Sequence, residues 1–124
     1  MATSTIKKTS DLKWISLWTN PNPRSTFAAN QTISMNNLSA YSEVCFRVKS
    51  VNTGDAIYSL VVPLTTFPMS GVILTVITGE IRQRYGMTIQ DSGINFGAAG
   101  VFNTYGGSRT ENISSVIPVE VLGR

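Results

Sequence analysis

The 124-residue chain is long enough for one packed core and too short for two, and a 42% hydrophobic content supplies that core. Charged residues make up only 14% of it, against roughly 25% in an average soluble domain; its surface is therefore mostly hydroxyl and amide, which suits burial against neighbouring subunits. With no histidine, a single cysteine (Cys45) and a dispersed net charge of +3, the chain lacks the usual general base, an intramolecular disulfide, a cysteine-rich zinc site and a basic track for nucleic acid.

Residues 1–12 contain Lys7 and Lys8 with no apolar stretch behind them, which fits neither a secretory signal nor a membrane span. They are expected to form an N-terminal docking arm ahead of a single β domain over residues 13–124. Lys13 to Trp18 reads as a strand with Trp14, Ser16 and Trp18 on one face. Pro21 and Pro23 then enforce an extended or turning segment. Gln31 to Met35 reads as a short strand, and Asn36 to Ser42 as a polar loop.

The cleanest alternation covers residues 43–49, where Val44, Phe46 and Val48 oppose Glu43, Cys45, Arg47 and Lys49. Residues 57–62 and 72–78 are further strands, separated by Pro63, Pro68, Ser70 and Gly71. The run from Val72 to Ile77 is apolar on both faces. Such a strand is either central in a sandwich or presses one face on another subunit, and Val72, Leu74 and Val76 are the candidate oligomer interface.

Residues 79–85 alternate, with Ile81 and Tyr85 opposed to Glu80, Arg82 and Arg84. Met87 to Gln90 and Ile94 to Phe96 flank an Asp91-Ser92-Gly93 turn, in which Asp can bond its own backbone, and so predict a hairpin. Gly97 to Gly100 reads as a turn. At the C-terminus Ile113, Ile117, Val119 and Val121 share a face, and Pro118 predicts an edge strand or a bulge. No helical period appears, so the expected fold is all-β: an antiparallel β-sandwich or jelly-roll-like barrel.

Candidate surface-binding residues are Tyr105, beside Gly106-Gly107, and the pair Arg82 and Arg84, whose forked donors would grip acidic saccharides or phosphates. The plainer reading of the arginines is a solvated strand face or an edge guard. Trp14, Trp18, Tyr41, Tyr58 and Tyr85 are stacking platforms for sugar rings or, more simply, core and interface residues. Asp55, Asp91 and Glu111 sit in turn-like settings with no calcium-loop spacing, and Cys45 lacks a base to activate it. No catalytic residue, metal or cofactor is expected. A carboxylate pair such as Asp91 with Glu111 would serve hydrolysis only if the fold joined them.

Leu17-Trp18-Thr19-Asn20-Pro21-Asn22-Pro23, Phe27-Ala28-Ala29 and Gln31-Thr32-Ile33 resemble the opening of a module at the C-terminal end of phage tail-fibre and minor tail structural proteins. The likeness continues through Leu38, Tyr41, Val62-Pro63, Arg82, Arg84, Ser92-Gly93-Ile94, Phe96-Gly97, Tyr105-Gly106 and Ile117-Pro118, from Trp14 to Val121. It implies a β-structured homotrimer at the tip of a virion appendage, binding rather than catalytic and made in the bacterial host cytoplasm. About a dozen residues precede Trp14 where such modules follow a long shaft. The expected role therefore extends to a head fibre, a capsid decoration or a small baseplate protein. Its expected partners are copies of itself, other virion proteins through the N-terminal arm, and a host cell-surface glycan, with neither nucleic acid nor membrane insertion. The alternative is a monomeric carbohydrate-binding module.

Overall fold

A computed structural model describes residues 13–24, 26–50, 56–102 and 107–124. The expected docking arm, Asp55 and Tyr105 lie outside the described residues. Among those residues the chain is all-β and antiparallel, its strands forming two sheets packed as a sandwich. One sheet has the order β1 (Ile15–Thr19), β10 (Ile117–Gly123), β3 (Glu43–Lys49), β4 (Tyr58–Pro63). In the other, β5 (Met69–Ile77) pairs with one side of β6 (Ile81–Gln90). The other side of β6 takes β7 (Gly93–Asn95) and β8 (Ala98–Phe102) end to end, flanked by β2 (Thr32–Ser34) and β9 (Thr110–Glu111).

The alternation over residues 43–49 emerges as β3, where Val44, Phe46 and Val48 are buried and pair with Val62, Leu60 and Tyr58 of β4. Opposite them lie Leu74, Val76, Met87, Ile89 and Ile94. Each such side chain, fully buried, contributes about 1.5–3 kcal/mol. Phe96 centres an aromatic cluster, 5.4 Å from Phe27, 5.8 Å from Trp18 and 6.0 Å from Phe46 between ring centroids. The segment read as a polar loop hides Leu38, fully buried at the start of a 3-10 turn over Leu38–Ala40.

Bulges decide which side chains face inward. On β1 the register shifts between Ser16 and Trp18, so Trp18 turns into the core and does not share a face with Trp14 as the period of two predicts. Pro118 does mark a bulge, between Pro118 and Glu120, but β10 is a central strand and not an edge. On β6, Leu74 pairs with Arg84 and Val72 with Met87, which leaves an extra residue at Tyr85-Gly86, with Gly86 at φ 67°. Arg82 and Arg84 therefore point inward before the bulge and Met87 and Ile89 after it, the reverse of the predicted parity for residues 79–85.

The hairpin expected around Asp91 joins β6 to β7, with Gln90 opposite Gly93. Asp91 does not bond its own backbone: its Oδ1 accepts from the Ser39 amide at 2.9 Å. Gly97 to Gly100 is not a turn, since Ala98–Phe102 is strand β8. The chain kinks just before it, at Gly97, with φ 57°; a Cβ there would collide with the carbonyl oxygen of Tyr85 and with Gly86. The kink and the β6 bulge thus lie against each other, and only glycine fits.

Candidate functional site

Arg84 lies at the centre of the molecule, fully buried. Its Nε donates to the Val116 carbonyl at 2.8 Å, Nη2 to Phe27 at 2.9 Å, and Nη1 to Phe96 at 3.3 Å and Gly97 at 3.5 Å. Its guanidinium carbon is 5.1 Å from the centroid of the Phe27 ring. Among the described residues it has no carboxylate partner; backbone dipoles solvate the charge. Burial pushes its pKa down to about 10, so it remains charged at neutral pH. Three distant segments are tied together: the stretch before β2, the β7–β8 kink and the entry to β10.

Many residues that carry the resemblance gather around this hub. Asn20 donates to the Pro118 carbonyl at 2.8 Å and accepts from the Asn22 amide, while Trp18 packs on Phe27 and Phe96. Arg82 is also buried, donating to Glu80 at 2.8 Å and Thr78 at 3.1 Å. Neither arginine is a surface ligand or an edge guard, because β6 is an interior strand and both point into the sandwich.

The side chains expected at an oligomer interface face the core. Leu74 and Val76 are core residues, and half-buried Val72 packs against the same core. The outward side chains of β5 are Ile73, Thr75 and Ile77, with Ile73 51% and Ile77 64% exposed. The strand is apolar on both faces, as expected, yet it is neither central nor turned toward a partner through Leu74.

The aromatic platforms are largely occupied. The Arg109 guanidinium stacks 3.4 Å above the Tyr85 ring and donates to Gln83, and that of Arg124 lies 4.2 Å above Trp14. Tyr58 faces inward opposite Val48. Cys45 is buried, and desolvation raises its thiol pKa and lowers its reactivity. The Ser39 amide holds the Asp91 carboxyl below its ordinary value.

Glu111 sits level with Gln83 across β8, whereas Asp91 follows the far end of β6. At about 3.3 Å per residue they are roughly 25 Å apart, beyond the ~5–10 Å of a hydrolytic carboxylate pair. Among the described residues no group of three Cys, Asp or Glu side chains is placed to hold a metal ion.

One side of the sandwich differs from the rest. β1 and β2 line a common cleft through Trp18 and Ile33, so β4 and β5, the opposite edges of their sheets, flank the other side. From Ala56 to Gly79 the sequence contains no Asp, Glu, Lys or Arg; all ten basic and seven acidic residues lie elsewhere. Of the five large exposed hydrophobics among the described residues, four belong here: Ile57, Val61, Ile73 and Ile77. The composition signal was present in the sequence as a 24-residue charge-free run, but the run marks a surface only once both strands prove to be edges.

No protein-family model matches the chain, and neither a curated protein nor a solved structure shows significant similarity to it.

Proposed function

We propose that this chain is a non-enzymatic structural subunit that assembles with copies of itself. On the resemblance its sequence carries, the assembly is a phage virion part: a fibre tip, or a capsid or head decoration. One observation carries the reading. The apolar side chains left outside the core are concentrated on a charge-free side built from both sheet edges. Monomeric domains seldom leave an edge of this kind unguarded, and desolvating a neutral surface against a neighbour costs far less than desolvating a charged one.

Light scattering on the purified chain at micromolar concentration is expected to give a multiple of 13.4 kDa. A stable monomer overturns self-assembly. Mass spectrometry of purified particles tests the virion assignment separately, and absence of the chain from them overturns that part.

A further inference from the structure

From the β4–β5 side we infer how two copies meet: β5 of one chain pairs edge to edge with β5 of a second, antiparallel about a twofold axis at Thr75. This inference rests on the self-assembly reading and specifies its contact.

Among the described residues β5 is hydrogen-bonded on one side, to β6, and no strand pairs with its other side. Protein edges are ordinarily guarded by charge, proline or a bulge. In β5 the register irregularities fall at Met69 to Leu74, with Gly71 at φ 70°, and Leu74 to Ile77 pairs with β6 without interruption. The strand contains neither proline nor a charged residue.

Face-to-face stacking does not cover the exposed side chains together. Val61 pairs with Cys45 on the outer face of one sheet, while Ile73 and Ile77 project from the outer face of the other, in the opposite direction. A partner stacked on one face leaves the second uncovered. An edge-on partner extends both sheets from one side and gives Val61, Ile73 and Ile77 the cross-strand neighbours they lack.

The occupant is a second copy because the sequence of β5 is self-complementary. With Thr75 opposite Thr75, Ile73 of one chain faces Ile77 of the other on the outer face, and Leu74 faces Val76 on the inner one. Copies with a net charge of +3 meet least repulsion where neither carries charge. This contact is isologous, so it joins copies in pairs and cannot by itself build a trimer.

Cysteine cross-linking tests the register. Thr75→Cys is expected to oxidise to a disulfide-linked dimer, because directly opposed residues in an antiparallel ladder lie within bridging distance. Ile73→Cys alone should remain uncross-linked, and a mixture of Ile73→Cys with Ile77→Cys should cross-link; buried Cys45 gives little background. In the unmodified protein, amide exchange in β5 should slow as concentration rises through dissociation. A multimer whose β5 amides exchange as fast as those of the dilute monomer, or whose Thr75→Cys variant fails to cross-link, overturns the edge pairing and leaves self-assembly standing. A monomer at every concentration overturns both.

Discussion

Arg84 is a charge held in the core by carbonyl oxygens, and its contribution can be measured. Arg84→Ala leaves the carbonyls of Phe27, Phe96 and Val116 without their donor. At about 1–3 kcal/mol for each of the three buried unsatisfied groups, the expected loss is on the order of 3–9 kcal/mol, read as a lower urea midpoint. Arg84→Lys should recover little, since one ammonium cannot reach acceptors spread around a planar fork. Because burial lowers the folded-state pKa to about 10, the unfolded chain binds the proton more tightly. Above that value, until the unfolded chain also loses the proton, the group's contribution to stability rises with pH; below it the contribution is flat. The stability difference between the native chain and Arg84→Ala should therefore not change from pH 6 to 9, and a slope across that range contradicts the assignment.

At the scale of elements, the kink between β7 and β8 and the bulge in β6 act as one device. The kink lets two short strands run end to end along β6, and the bulge turns Arg84 and Met87, three positions apart, toward the same core. Gly97→Ala combines a left-handed backbone with a Cβ driven into the Tyr85 carbonyl. Strain alone amounts to about 1–3 kcal/mol, so a lowered Tm by calorimetry is expected, with Ala98→Ser at the adjacent half-buried strand position as a mild control. Reading β6 from its sequence inverts its first half, because an uninterrupted period of two puts Ile81 and Tyr85 inside. Nothing local in residues 79–85 announces the bulge, and the acceptors that make an inward arginine tolerable come from residues 27, 96, 97 and 116.

For the whole molecule, the consequence is that the exposed and core faces of β5 respond differently to charge. Ile77→Lys is expected to preserve the circular dichroism spectrum and shift the multimer to monomer in light scattering. Leu74→Lys buries an unpaired ammonium against the core and is expected to abolish the folded state. Equal effects from the two variants would contradict the assignment of the two faces of β5. The same edge position gives the scarcity of charge a location, residues 56–79 of β4, β5 and their connection, whereas the ion pairs Arg47–Glu120 and Arg124–Glu43 begin one strand in, on β3.

The amino-acid pattern alone determined the all-β class, the β3 strand and the hairpin at Asp91, and it narrowed Pro118 to a bulge or an edge strand. Each follows from alternation or turn chemistry within a few consecutive residues. Tertiary structure decided which parity of β6 faces inward, which face of β5 stays exposed, and that β10 is central while β4 and β5 are edges. Those outcomes depend on partners tens of residues away, and a one-residue change of register exchanges the two faces of a strand without altering its composition.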